Sequence, residues 1–204
     1  MDVPVAYLLS LKSGRSVKMV MDYDAEFIAG NPRHASVIRV KSGVSKNGRI
    51  LAHHIDFVFD SGAYGAFKPI GYLFGAHEAA GPYRMENVLI EEKIVYTNKI
   101  PCGHMRAPGD PQGVFANESQ MDLIAKKLRM DPARCRRMNL IQDGDESPVG
   151  RKISHIKARE TLNRLLRESK YHSRKPPNVG RGLAIIHGSR WAANVRISTH
   201  DILT

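Results

Sequence analysis

Two alternating runs that meet at Asn47-Gly48 leave the first half of this chain little conformational freedom. Residues 36–44 and 50–59 place apolar and β-branched side chains at every second position, the period of a strand with one buried face. Asn-Gly readily supplies positive φ angles, so a type I′ hairpin turn is expected between them. In the second run Ile55, Phe57 and Phe59 share one face and His54, Asp56 and Asp60 the other. One side of the hairpin is therefore core and the other polar. His53 and His54 are neighbours on a strand, point to opposite faces, and cannot chelate one metal together.

The remaining elements follow from periodicity and stop signals. Val5, Leu8 and Leu9 share a helical face ahead of Gly14, which suits a C-terminal cap, so the first dozen residues read as the last turns of a helix whose start lies outside the chain. Residues 17–21 alternate and predict a strand ending at Asp22. Residues 61–69, SGAYGAFKP, are too rich in glycine for a regular element, and a short helix is expected around 70–80. A strand at 88–97 leads through NKIPCGHMRAPGDPQG into a helix over 111–127. That helix carries Val114, Met121, Ile124, Ala125 and Leu128 at helical spacing, with Asp110 as its expected N-cap and Pro111 in its first turn. Asp131-Pro132 opens another helix in the same manner. A third spans about 154–171 on Ile156, Thr161, Leu162, Leu165 and Leu166, HSRKPPNVGR is a linker by composition, and GLAIIHG is a short apolar strand. The chain then stops at ISTHDILT without an obvious domain-ending element. This order predicts an α+β fold, a mixed sheet with helices packed on it.

Charge raises a different possibility. The net charge is +11, and residues 126–175 hold 15 Lys/Arg against 6 Asp/Glu. Clustered cations attract nucleic acid, yet no helix-turn-helix, zinc finger, aromatic RNA-binding strand or GxxG loop accompanies them, so a solvated face or a surface for an acidic partner subunit is the better reading. No apolar run approaches the roughly 20 residues that cross a bilayer. The opening MDVPVAYLLSLKSGR lacks a basic leader with a small-residue cleavage site, which makes a cytoplasmic compartment the expectation. Cys102 and Cys135 are too few for a disulfide framework and lack CxxC spacing, so both are expected to be buried thiols.

Chemistry concentrates in the loop from Cys102 to Gln112. Gly103, Pro108, Gly109 and Pro111 surround Arg106 just before a helix N-terminus, where free N–H groups and the helix dipole favour an anion and a guanidinium can grip phosphate or a pterin carbonyl in two places. A rigid helix entry with a surface arginine accounts for the same residues. The nine histidines show no HExxH or comparable ligand spacing. There is no GxSxG elbow around Ser119, which reads as a core or cap hydroxyl. Glu118 and Asp122, one turn apart with Lys126 a turn later, read as a solvated, ion-paired face and not as a catalytic carboxylate pair.

Read together, SGRSVKMVMDYDAEF, GNPRHASVIRVKSGV, NGRILAHHIDFVFDSGAYG, GPYRMENVLIEEKIVYTN, MRAPGDPQGVFANESQMDLIAKKLRMDP and RRMNLIQDGD resemble, in order and spacing, the large subunits of molybdenum hydroxylases of the xanthine dehydrogenase and aldehyde oxidase type. The resemblance runs from about residue 10 to 145, and GRGLAI looks like the strand that opens the next portion. It implies that residues 1–145 are part of a first molybdopterin-binding domain, 146–180 a helix and basic linker, and 181–204 the truncated start of a second molybdopterin-binding portion. It also implies a molybdenum held by a pterin dithiolene and wrapped by loops, with Arg106, Ala107, Pro108, Gly109 and Gln112 as contacts to that cofactor and no protein ligand to the metal.

The activity so implied is hydroxylation of aldehydes or N-heterocycles with oxygen from water, with iron–sulfur and flavin (FAD) centres on other domains or subunits. The family's glycine-rich loop ahead of this region and its late glutamate base do not occur here, so this chain alone is expected to be inactive. Pro108 stands where purine-oxidising members carry a stacking phenylalanine, which argues against xanthine as substrate. A non-catalytic interaction module reusing the fold, and a basic nucleic-acid binder, are the alternatives.

Overall fold

The computed structural model describes residues 2–64, 79–147, 150, 152–187 and 193–201. Helices α1 (Asp2–Ser13) and α2 (Tyr23–Ala29) precede strands β1 (Ser36–Val44), β2 (Ile50–Asp60) and β3 (Asn87–Val95). Helices α3 (Asp110–Lys127), α4 (Pro132–Asn139) and α5 (Ala158–Glu168) follow, and strands β4 (Val179–His187) and β5 (Ala193–Asp201) close the order. β1 and β2 pair antiparallel and β2 and β3 parallel, in the order β1-β2-β3, while β4 and β5 form a separate antiparallel pair. The expected α+β architecture with a mixed sheet is the one observed.

The hairpin forms where expected, through a different turn. Gly48 N–H donates to the Ser45 carbonyl at 2.9 Å and Ser45 N–H to that of Arg49 at 2.9 Å. Gly48 has φ of 96°, whereas Asn47 is not among the positive-φ residues. The connection is thus a turn followed by a glycine bulge, the three-residue hairpin solution. Asn47 prefers it because its Oδ1 accepts from the Ser45 hydroxyl and the Arg49 amide. Gly48 is favoured there by its φ of 96°, and the Met130 and Met138 side chains pack against it.

Two apolar clusters divide the molecule. Ile55, Phe57 and Phe59 are buried on the inner face of β2, the two rings stacked 5.3 Å apart, with Ile38, Val40, Ile90 and Ile94 against them. The opposite face is polar, Asp56 receiving Arg39 at 3.2 Å and Lys93 at 3.6 Å. The larger cluster joins Met121, Ile124 and Ala125 of α3, Leu162 and Leu166 of α5, and Leu183 and Ile185 of β4. Both cysteines are buried and free.

Several boundaries differ from the pattern. Residues 17–21 form no strand; Asp22 instead caps α2, accepting the Ala25 amide at 2.8 Å. Helix α1 does end at Gly14, whose φ is 62° and whose N–H meets the Ser10 carbonyl. Gly109, with φ of 83° and no side-chain cap, precedes α3, so Asp110 is its first helical residue and not the N-cap. Asp131 caps α4 as expected. The third helix begins at Ala158, four residues late, because His155 adopts φ of 58° and the Ile156 amide is held by Asp143 Oδ1 at 2.6 Å. The helix expected at 70–80 falls largely outside the described residues, and Ala79 and Ala80 stand in a buried turn. β5 is a difference from the pattern, because residues 193–201 become a strand only by pairing with β4.

The largest departure concerns Glu118. It is buried, not solvated: Arg136 Nε donates to its Oε2 at 2.8 Å, Tyr83 Oη to its Oε1 at 2.5 Å, and the Ile185 amide to its Oε2 at 2.9 Å. Arg136, itself fully buried, also reaches Asp122 Oδ1 at 2.7 Å and the Glu118 carbonyl at 3.1 Å. Burial, followed by the neighbouring carboxylate, pushes the Tyr83 phenol well above its usual range, so it stays a donor. A helical carboxylate one turn from Asp122 looks solvated in one dimension; a fully enclosed arginine from the next helix reverses that.

Another polar chain ties α3 to the sheet. Gln120 Nε2 donates to Ser42 Oγ at 3.0 Å, and the same hydroxyl is hydrogen-bonded to His53 Nδ1 at 2.9 Å. Burial, followed by the neighbouring His54, lowers the His53 pKa to about 4 and keeps the ring neutral. A histidine whose folded pKa lies below its unfolded value resists protonation, so its contribution is complete above the unfolded pKa of 6.5 and is lost as pH falls towards 4.

Two outcomes follow. Arg136→Met strands the Glu118 carboxylate and should cost about 3–5 kcal/mol in urea unfolding, with Glu118→Gln costing less; a loss under about 1 kcal/mol in Arg136→Met contradicts the cluster's importance. Between pH 6.5 and 4 the wild type should lose about 3 kcal/mol that His53→Gln keeps, and parallel pH profiles of the two proteins would show the histidine to be irrelevant.

Candidate functional site

The site grows from the carboxyl ends of the two parallel strands. Asp60, the last residue of β2, accepts from Thr97 Oγ1 at 2.7 Å and from the Gly62 amide at 2.9 Å, and Lys99 Nζ lies 3.0 Å from its other oxygen. These bonds, led by the Thr97 hydroxyl, hold its carboxyl at about pKa 2. The segments leaving β2 and β3 then lace together: Thr97 N–H meets the Gly62 carbonyl, Ala63 N–H that of Lys99, and Cys102 N–H that of Ser61. Gly62 has no substitute here, since a Cβ would lie 2.3 Å from the Ile100 oxygen.

From this anchor the chain runs through Gly103 to the turn before α3. That turn is held from the far side by residues 31–34. Gly103 N–H donates to the Pro32 carbonyl at 3.2 Å, and Asn31 Nδ2 to that of Pro101 at 3.0 Å. Arg33 donates from Nη2 to the Arg106 carbonyl at 2.8 Å and from Nη1 to that of Ala107 at 3.1 Å. Gln112 Nε2 donates to the His34 carbonyl at 2.9 Å, and His34 Nδ1 in turn donates to that of Asp60 at 2.9 Å.

The five residues expected to form the site are thereby brought into one turn and the first turn of a helix. Arg106 and Ala107 are exposed, Pro108 and Gln112 half-buried, and Gly109 buried. Ala107 and Gly109 both have positive φ, 56° and 83°. Because a carbonyl can only accept, the bond to His34 fixes which end of the Gln112 amide is which. Its Oε1 is then a buried acceptor with no partner among the described residues. Asp110, in the first turn of α3, opposes a bare anion at this helix end. A cationic donor together with a fixed, unpartnered acceptor suits a heterocycle bearing both carbonyl and N–H groups better than it suits phosphate alone. A pterin is such a group, and in this respect the residues fit it.

Open space adjoins the turn. A groove of about 620 Å³ between α3 and β4 is lined by Ala107, Val114, Phe115, Leu183 and Ile186. A second of about 570 Å³ between α3 and β1 is lined by Ile38, Val40, Phe115 and Leu123. Phe115, 75% exposed, is the ridge between them. Among the described residues no group of His, Cys, Asp and Glu could hold a metal ion, and no helix is long and apolar enough to cross a membrane.

Asn31, Arg33, His34 and Asp60 were not singled out as site residues from sequence. Apart from the local bond of Asp60 to Gly62, their contacts span 26 to 78 residues, and only their presence in the resembling stretches GNPRHA and FDSGAYG could have drawn attention to them.

Similarity to known proteins agrees with this geometry. Residues 2–140 match the molybdopterin cofactor-binding domain family. The chain is 37% identical over 151 residues to a probable xanthine dehydrogenase subunit of Bacillus subtilis, covering 74% of this chain and 20% of that protein. It is 32% identical over 148 residues to the nicotinate dehydrogenase large molybdopterin subunit of Eubacterium barkeri, covering 72% and 35%. Among solved structures, the aldehyde oxidoreductase of Desulfovibrio gigas superposes with a TM-score of 0.76 at 26% identity, over 91% of this chain and 21% of that one. Quinoline 2-oxidoreductase of Pseudomonas putida shares the fold with a TM-score of 0.77 at 23% identity, over 89% of this chain and 25% of that one. The chain thus spans between 20% and 35% of the length of these curated relatives. With a family match over residues 2–140 and these structural likenesses, the chain belongs to the molybdopterin cofactor-binding domain family.

Proposed function

We propose that this chain contributes one wall of the molybdopterin pocket in a larger molybdenum-dependent oxidoreductase that hydroxylates aldehydes or N-heterocycles. The observation that carries the reading is the turn itself, with an exposed Arg106, Ala107 lining the 620 Å³ groove, Gln112 lining the 570 Å³ one, and Gln112 Oε1 left without a partner by the bond its amide makes to the His34 carbonyl. Arg106, Ala107, Pro108, Gly109 and Gln112 are the proposed contacts. When bound, the cofactor supplies two-electron redox chemistry at its molybdenum, which no side chain of this site can provide. The chain's own part is to donate from Arg106, accept at Gln112 Oε1, and offer the backbone around Ala107 and Gly109 to close approach. Pro108, short and without an aromatic face, leaves no stacking clamp for a purine, which favours substrates other than xanthine.

In this arrangement residues 1–145 belong to the first molybdopterin-binding domain, 146–180 form a helix and basic linker, and 181–204 open the second portion. Leu183 and Ile185 already share a core with Met121 and Leu162, so the two portions meet across α3. The other pocket walls come from the rest of the molybdenum subunit, with iron–sulfur and flavin centres on further domains or subunits. The names of the relatives, a large molybdopterin subunit and a xanthine dehydrogenase subunit, support that composition. They also weigh against a free-standing scaffold or a nucleic-acid binder.

The test is cofactor retention. In the full-length protein, Arg106→Ala and Gln112→Ala should each lower pterin content, read by fluorescence after release, by roughly tenfold, about 1.4 kcal/mol apiece. Thermal stability of Arg106→Ala should hardly change, because Arg106 is exposed. Wild-type pterin content in both variants contradicts the assignment.

A further inference from the structure

Ala107 is in a conformation that its own sequence disfavours twice. Its φ of 56° is costly for a residue with a Cβ, and the residue preceding a proline is pushed by the ring towards extended backbone. Pro108 also lacks an N–H with which to bond back and hold the turn. Within the turn one bond closes it, Asp110 N–H to the Ala107 carbonyl at 3.2 Å; among the described residues the side chain that reaches its two successive carbonyls is that of Arg33.

We infer that Arg33 is a positioning residue for the cofactor turn: its guanidinium grips the Arg106 and Ala107 carbonyls and presets the disfavoured conformation before any cofactor arrives. The inference rests on the proposal that residues 106–112 meet the pterin. A planar fork with fixed donors matches two consecutive carbonyl oxygens, whereas an ammonium is a point donor. The described peptide bonds are all trans, so drawing the Arg106 carbonyl towards Arg33 turns the Ala107 N–H to the opposite side. Arg33 thereby decides which way that amide is presented. Neighbouring contacts support this grip. Asn31 and Pro32 hold Pro101 and Gly103, and the His34 carbonyl orients the Gln112 amide. Four consecutive residues therefore form a strap along the outside of the site, with Arg33 at the point of greatest strain.

Hydrogen exchange of the full chain, resolved by mass spectrometry, tests this in Arg33→Ala and Arg33→Lys. Exchange within residues 104–110 should rise about tenfold in both, with protection elsewhere and the melting temperature unchanged. Guanidinium ion, added well below denaturing concentration, should restore protection in Arg33→Ala, and Arg33→Lys should not substitute for it. In the full-length protein, molybdopterin extracted from a donor enzyme should bind the two variants about tenfold more weakly than wild type, with the same guanidinium rescue. Unchanged exchange at 104–110, a rise spread over the whole chain, or a loss that guanidinium leaves uncorrected overturns the role of Arg33. If exchange responds as stated but molybdopterin binds neither wild type nor variants, the clamp stands and the cofactor assignment of the turn falls.

Discussion

The enclosure of Arg136 by Glu118 is the contact on which the second half of this structure depends. A fully buried guanidinium is tolerable only when its donors are satisfied, and here they are met by a carboxylate and a carbonyl of α3, by Asp122 one turn on, and by the Pro132 carbonyl of its own helix. Glu118 also takes the Ile185 amide of β4 and the Tyr83 hydroxyl of the segment entering β3. Four separate stretches of chain are thereby fixed about one charge. The groove beside Ala107 exists at its observed width because β4 is held to α3 at this point.

The first half is organised differently, by backbone bonds around Asp60 and by the strap at residues 31–34. The hairpin and β3 supply a rigid sheet; Asp60 gathers the two segments leaving it; the strap then shapes the turn that follows. The turn at residues 106–112 is thus a loop in sequence but not in freedom, since the Arg106 and Ala107 carbonyls and the Gln112 amide are each bonded to residues distant along the chain. Preorganisation of this kind lowers the ordering cost when a ligand binds. It is what a site needs if it is to hold an organic cofactor by shape and hydrogen bonds without ligating the metal.

How much of this could be read beforehand depended on the range of the interaction responsible. Ile55, Phe57 and Phe59 announced a buried face because side-chain alternation is local, and Asp131 announced a cap because its partner is three residues away. Gly14 did the same for a helix end. The Asn47-Gly48 turn was located correctly and typed wrongly, as the choice between two glycine-bearing turns was made by Asn47 bonding locally and by Met130 packing on Gly48. Residues 17–21 alternated without a partner strand to pair with, and pattern alone does not make a ladder. Glu118 was misread because its cation comes from 18 residues downstream. In the candidate site, Arg106 and Gln112 entered through the resemblance of MRAPGDPQ and the structure places them in one turn and helix start, whereas Arg33 carried no local signal.

The central claim is that the turn at residues 106–112 faces the cofactor. Anomalous diffraction at the molybdenum absorption edge, from crystals of the full-length protein that carries this segment, addresses it most directly. The account predicts a single molybdenum peak on the exposed side of that turn, beside Arg106 and Gln112. A peak across the polar face of the sheet, over Arg39 and Asp56, would contradict it.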